Sequence, residues 1–116
     1  MKVLVGEDDV AIAEVVGIIL ESNGHEVIHA DDEKTFTSSL SQSPDLILLD
    51  VALGGSNGGD ITKKVKKDPN HSSIPLIIVS ANSDTEKIAS TSGADGFLLK
   101  PFEMEDLLTL VDTYKK

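Results

Sequence analysis

Cysteine is absent from this chain of 116 residues, so disulfides and thiolate metal sites are excluded. Aromatic side chains are scarce: Phe36, Phe97, Phe102 and Tyr114 are the full set. The core must therefore be built from Val, Ile, Leu and Ala, and the stacking platforms used by single-strand nucleic-acid binders are lacking. Long apolar runs are missing as well. The longest are about four residues, as in Leu46-Ile47-Leu48-Leu49, too short for a membrane span or a signal segment. Positive charge is outweighed two to one, 10 basic residues against 20 acidic ones, for a net charge of −10. Such a chain repels phosphate backbones and anionic membranes. Direct binding to nucleic acid or membrane is thus disfavoured, and a cation or a partner with a basic patch is favoured. These absences read as a soluble cytoplasmic protein, and the length fits one domain.

What is present is a regular alternation of two patterns. Val3-Leu4-Val5 reads as a short buried strand ending at Gly6-Glu7-Asp8-Asp9. Ile12, Val15, Val16, Ile19 and Leu20 recur at helical spacing over residues 10–23, and Asn23-Gly24 closes that helix. Val27-Ile28 is a weaker strand. Asp31 or Asp32 can cap a helix that runs to about Leu40, with Ser43-Pro44 as its stop. Leu46-Ile47-Leu48-Leu49 has the unbroken apolar character of a parallel strand covered on both faces, and it ends at Asp50. Gly54 to Gly59 reads as a flexible loop, followed by a helix from about Gly58 to Lys67. Leu76 to Val79 is a strand ending at Ser80, residues 84–92 a short helix, Gly96 to Leu99 a strand ending at Lys100-Pro101, and Met104 to Tyr114 a last helix. Five strands alternating with five helices predict one doubly wound α/β domain: a parallel sheet, helices on both faces and right-handed crossovers.

The chemistry is concentrated at strand ends. Glu7, Asp8 and Asp9 end the first strand, Asp50 the third, Ser80 the fourth and Lys100 the fifth. In open parallel sheets ligands bind at the carboxyl ends of the strands, so this pattern gathers acids, a hydroxyl and an ammonium at one edge. Two carboxylates about 4 Å apart repel by roughly 4 kcal/mol at an effective dielectric of 20. A cluster of Glu7, Asp8 and Asp50 is therefore strained unless protonated or metal-bound, and with only oxygen ligands on offer the natural ion is Mg²⁺. Each residue also has a plainer reading. Acids after a strand can cap the next helix, a Lys-Pro pair can be a surface turn, and Ser80 can cap a helix. Asp50 is the hardest to explain that way, because a solvated loop acid needs no apolar approach.

Four fragments then carry a resemblance: Val3-Leu4-Val5-Gly6-Glu7-Asp8-Asp9, Pro44-Asp45-Leu46-Ile47-Leu48-Leu49-Asp50, Ile74-Pro75-Leu76-Ile77-Ile78-Val79-Ser80-Ala81 and Gly93-Ala94-Asp95-Gly96-Phe97-Leu98-Leu99-Lys100-Pro101-Phe102. In this order, each ending a strand, they resemble the receiver domains of two-component response regulators, over essentially the whole chain. The resemblance implies strand order 2-1-3-4-5. It implies that Asp50 is the phosphoacceptor, supplied by a histidine kinase or histidine phosphotransfer protein, in a switch that binds a downstream protein. Asp8 and Asp50 would ligate Mg²⁺ directly, Glu7 through water, and the carbonyl of Ala52 would be a further ligand. Lys100 would pair with the phosphoryl group, Ser80 would move to hydrogen-bond it, and Phe97 would swing inward behind it. The Lys100-Pro101 bond would be cis. Such a protein catalyses its own phosphorylation and dephosphorylation but turns over no metabolite. Asp9 is left as a helix cap.

Three features depart from the family pattern. Gly54 stands where a proline is usual, which predicts a looser loop. The segment from Ser80 to Gly93 is about two residues short, which clips the fourth helix and alters the output face. Ala52 and Asn82 occupy the positions that tune phosphoryl lifetime. The chain is expected to hold one receiver domain over residues 1–116 and no output domain, with dimerisation on phosphorylation left open. Among competing readings, an aspartyl-phosphate phosphatase of the haloacid-dehalogenase type would need a second Asp where Ala52 stands, as well as a cap domain. A flavodoxin-like carrier would need a hydroxyl-rich loop where Glu7-Asp8-Asp9 would repel phosphate. A degenerate receiver serving only as a docking module is opposed by the intact acid set.

Overall fold

The computed structural model describes residues 1–115; Lys116 lies outside them. In chain order the elements are β1 (Lys2–Gly6), α1 (Val10–Ser22), β2 (Glu26–Ala30), α2 (Glu33–Ser39), β3 (Leu46–Asp50), β4 (Ala52–Leu53), β5 (Ser56–Asn57), α3 (Gly58–Lys67), β6 (Leu76–Ser80), α4 (Thr85–Ser92), β7 (Gly96–Leu99) and α5 (Met104–Thr113). A short 3₁₀ turn at Leu40–Gln42 extends α2. Five of the strands form one sheet in the order β2-β1-β3-β6-β7, and every neighbouring pair is parallel. Counted along those five strands, this is the expected order 2-1-3-4-5.

The sheet has a core on each face because its central strands carry unbroken apolar runs, Val3–Val5, Leu46–Leu49 and Leu76–Val79. Along β3, Ile47 and Leu49 point to one face and Leu46 and Leu48 to the other, as the period of two requires. The first face packs against Phe36 of α2, Ile61 and Val65 of α3 and Ala89 of α4. The second packs against Val16 and Leu20 of α1 and Leu107 and Val111 of α5. Register is thereby set: a slip of one residue in β3 would exchange its two faces between differently shaped layers.

Helix ends follow their local chemistry. Asp9 caps α1, its carboxylate accepting from the amides of Ala11 and Ile12, and Asp32, not Asp31, caps α2 through Thr35. Asn57 caps α3 through the amides of Gly59 and Asp60. Ser43 ends the 3₁₀ turn in the left-handed region, at φ 56°. The Lys100–Pro101 peptide bond is cis.

The segment read as a flexible loop is different in the structure. Residues 52–57 form a small antiparallel hairpin, Ala52 paired with Asn57 and Leu53 with Ser56. Gly54 and Gly55 make its corner at φ 53° and 87°, the geometry that two-residue hairpins prefer and that glycine adopts without strain. Leu53 is fully buried and anchors the hairpin in the core. Two-residue strands are too short to show an alternating pattern, which is why the sequence reads as a loop there.

Helix α3 then starts hard against the exit of β3. The Gly58 amide donates to the carbonyl of Val51 at 2.5 Å. A Cβ on Gly58 would overlap the carbonyl oxygen of Asp50 and stand 2.9 Å from Val51 Cα. Gly17, inside α1, would meet only the Glu21 carboxylate, at 3.8 Å. Gly58→Ala is therefore expected to destabilise the fold by about 1–3 kcal/mol, as overpacking does. Gly17→Ala is expected to stabilise it by up to about 1 kcal/mol through helix propensity. Urea unfolding of the two variants checks this, and equal effects at both positions would contradict it.

Candidate functional site

Parallel pairing brings the strand exits together. Gly6 lies opposite Leu49 and Asp50 opposite Val79, so the residues leaving β1, β3 and β6 emerge side by side. Ser80 lies opposite Leu99, and the amide of Lys100 donates to the Ser80 carbonyl at 2.9 Å. From this position the Lys100 side chain reaches back across the sheet edge. Its ammonium donates to Glu7 Oε1 at 2.5 Å and to Asp50 Oδ2 at 2.7 Å. All three side chains are largely withdrawn from water, with relative exposures of 14% for Lys100, 6% for Glu7 and 13% for Asp50. At such burial an ion pair is not the negligible contact it would be on an open surface.

The remaining bonds set which oxygens are free. Asp50 Oδ1 accepts only a long contact, 3.2 Å, from the Ala52 amide. Glu7 Oε2 accepts from the Asp9 amide at 3.3 Å, and the Glu7 carbonyl accepts from His29 Nε2 at 2.7 Å. The Ser80 hydroxyl is buried and accepts from the Asn82 amide at 3.0 Å, so it does not cap α4 directly. Phe97 is half-buried on β7 and packs against the layer that holds α3 and α4.

Asp8 stands apart. Its side chain is turned to the hairpin, where Oδ2 accepts from the Gly54 amide at 3.1 Å. The structure thus brings Glu7, Asp50 and Lys100 together but not Asp8. Among the described residues, no three Asp, Glu or His side chains converge as a ready-made ion cage. The acid cluster expected from the sequence is instead relieved by Lys100 standing between two of its members. The charge count still favours a cation. Glu7 and Asp50 against Lys100 leave one negative charge, Asp8, next in the chain to Glu7, adds a second, and every donor is oxygen, which suits a hard divalent ion.

Burial pushes the Glu7 carboxyl above its ordinary value, and Asp50 adds to the effect; the Lys100 hydrogen bond opposes it without cancelling it. For Lys100, burial works downward, but the hydrogen bonds and charges of Asp50 and Glu7 outweigh it and hold the ammonium above its ordinary value. Within the triad the lysine stays charged and Glu7 is the proton-sensitive member.

Sequence reasoning did not single out Gly58 or His29, nor the amide of Gly54. Gly58 is one of several glycines between residues 54 and 59, and only the packing of α3 against Asp50 distinguishes it. His29 carries no local signal, since its role depends on β1 and β2 pairing in parallel.

Fold and site define a class. Residues 3–112 match the response regulator receiver domain family, and the chain belongs to that family of two-component signalling domains. Receiver domains of response regulators interact with histidine kinases, and the family generally uses Mg²⁺ at its phosphorylation site. Particular relatives are similar along almost the whole chain. The DNA-binding response regulator MtrA of Mycobacterium tuberculosis is 33% identical over 113 residues, covering 95% of this chain and 48% of MtrA. The phosphate regulon transcriptional regulatory protein PhoB of Escherichia coli is 33% identical over 113 residues, covering 95% of this chain and 49% of PhoB. The chain thus spans about half the length of the curated relatives it matches. Among solved structures, the chemotaxis response regulator CheY4 of Vibrio cholerae superposes with a TM-score of 0.90 at 26% identity, covering 98% of both chains. The receiver domain of NtrX from Brucella abortus gives 0.86 at 28% identity, covering 98% of this chain and 97% of that one. Among the described residues, no helix is long and apolar enough to cross a membrane.

The raised Glu7 carboxyl has a stability consequence. A carboxyl held up by folding favours the folded state below its ordinary value of 4.5 and loses that contribution as pH rises through its folded value. Glu7→Gln, which is neutral at every pH and keeps an acceptor for Lys100, is expected to be more stable than the parent at pH 7. The difference should shrink towards pH 4, where the parent's Glu7 is also neutral. Urea unfolding at the two pH values measures this; a Gln variant less stable at pH 7 would contradict the burial argument.

Proposed function

We propose that Asp50 accepts a phosphoryl group from a phosphohistidine and that the resulting acyl phosphate switches the binding of a downstream protein. The observation that carries this reading is the Lys100 bridge. It fixes Asp50 through Oδ2 while leaving Oδ1 with a single long backbone contact. Oδ1 attacks phosphorus, an O–P bond forms, and the P–N bond of the phosphohistidine breaks with its electron pair going to the imidazole nitrogen. Such transfer needs positioning and charge neutralisation more than covalent assistance. Mg²⁺, held by Asp8, Asp50 and the carbonyl of Ala52, with Glu7 acting through water, would supply part of that neutralisation. Lys100 supplies the rest by turning from the carboxylates to a phosphoryl oxygen.

The added group carries about −1.5 to −2 charges at the carboxyl edge of the sheet. The Ser80 hydroxyl, one strand away, would exchange its contact with the Asn82 amide for a phosphoryl oxygen, and half-buried Phe97 would follow into the space behind it. This is a local charge event coupled to a movable loop. Water attack on the acyl phosphate resets it, so the domain catalyses its own modification and turns over no metabolite.

Arrival of a phosphodonor is supported by the surface beside the site. Val15 of α1, 55% exposed, lines the side of the helix next to Lys100, while exposed Val10 and Ile18 line a separate groove towards β2. A groove between that helix and the Pro101–Phe102 turn opens next to Lys100. A histidine kinase or phosphotransfer protein seated there would present its phosphohistidine to Asp50. The relatives named as DNA-binding extend beyond the matched half, and the net charge of this chain argues for output through protein contacts.

Intact-protein mass spectrometry after incubation with Mg²⁺ and a small phosphodonor is expected to show one labile phosphoryl adduct, absent from Asp50→Asn. An adduct that persists in Asp50→Asn, or none in the parent, would overturn the assignment and leave a docking module. Asp8→Ala is expected to weaken Mg²⁺ binding about tenfold or more in a calorimetric titration.

A further inference from the structure

We infer that the backbone amide of Gly54 is a positioning group that holds Asp8 away from the cation site, so that loading the site releases the corner of the β4–β5 hairpin. This inference rests on the reading of Asp8 and Asp50 as the carboxylates that receive the ion.

Four observations carry it. The Asp8 carboxylate is not gathered with Glu7 and Asp50 but accepts from the Gly54 amide at 3.1 Å, a contact spanning 46 residues of sequence. Residue 54 sits at φ 53° on the hairpin corner, a backbone conformation that glycine adopts freely and proline cannot, so the donor is present because of the residue type. A Cβ at this position would stand 3.0 Å from both the Asp31 carbonyl oxygen and Asp32 Cβ, so the corner is packed against the junction of β2 and α2. Leu53, the preceding residue, is fully buried, so the amide is presented from an anchored turn.

The contact is charge-assisted and exists only while Asp8 points outward. When Oδ2 turns to ligate a cation it gives the contact up. Cation binding through Oδ2 and the Gly54 contact are therefore alternatives for the same oxygen. Two results follow by linkage. The cation is bound more weakly than it would be were Asp8 free. Its arrival also frees the Gly54–Gly55 corner, and with it the surface shared with Asp31 and Asp32. The hairpin then reports whether the cation site is loaded, a role separate from that of Ser80 and Lys100, which face the phosphoryl group.

The test follows the Gly54 amide by ¹⁵N-correlated NMR during a Mg²⁺ titration of the full chain. Its proton resonance is expected to move upfield on the same binding curve as the amides of Val51 and Lys100. Its hydrogen exchange should rise about fivefold, the effect of losing one exposed charge-assisted hydrogen bond. Asp8→Ala without Mg²⁺ should place the Gly54 resonance where Mg²⁺ places it in the parent. Replacing the Leu53–Gly54 amide by an ester through chemical synthesis deletes the N–H and keeps every side chain; it is expected to tighten Mg²⁺ binding about threefold or more. If Val51 and Lys100 respond to Mg²⁺ while Gly54 does not, or if the ester binds no more tightly, the latch is refuted and the cation site stands. If no amide responds to Mg²⁺, the cation site is refuted and the latch with it.

Discussion

Lys100 lies between two carboxylates that leave adjacent strands, and the arrangement of the sheet edge depends on that contact. Glu7 and Asp50 would repel each other if brought this close alone. With an ammonium bonded to both, they can be held side by side and mostly out of water. The bridge orients Asp50 by one oxygen and leaves the other available. It also places the cation that a phosphoryl group would need within a side-chain movement of where that group would form. The site is thus pre-assembled by its charges. The strain that remains is in Glu7, whose burial exceeds what the lysine offsets.

That contact is possible because the backbone beneath it is rigid and in register. The two apolar layers hold β3 so that its even and odd positions cannot exchange, and the residues past Gly6 and Leu49, Glu7 and Asp50, emerge at the same height. Close approach of α3 finishes the job: with no side chain at Gly58, the helix begins against the Asp50 carbonyl and fixes the direction in which β3 leaves the sheet. Lys100 is delivered by the short strand β7, its amide tied to Ser80 and its next peptide bond cis. A hydroxyl, an ammonium and two carboxylates from four strands share one sheet edge because each is the first or second residue past an apolar run.

That regularity explains what could be read in advance. Apolar runs ending in Glu7, Asp50, Ser80 and Lys100 are local patterns, and in a parallel sheet strand ends share an edge. The elements and the company of Asp50 were legible for this reason; the strand order came from the resemblance to receiver domains. Asp9, Asn23 and the Asp31-Asp32 pair could be recognised as helix ends because capping is decided within a few residues, though the structure chose Asp32 of the pair. The hairpin at residues 52–57 was hidden, since two-residue strands carry no period and a glycine pair suits a loop as well as a tight turn. The partner of Asp8 was hidden for a deeper reason. A carboxylate beside two others looks like part of a cluster, and its choice of the Gly54 amide depends on where a distant turn is packed.

The amino-acid sequence by itself determined the alternation of strands and helices, the two-faced core and the set of charged groups at one sheet edge, because these follow from periodicity and from which residue ends each apolar run. Only the tertiary structure decided how those groups are divided. Lys100 took Glu7 and Asp50, Asp8 went to the hairpin, and Ser80 stayed with Asn82. The division depends on hydrogen bonds between segments up to 93 residues apart, whose distances and directions exist only once the layers have packed.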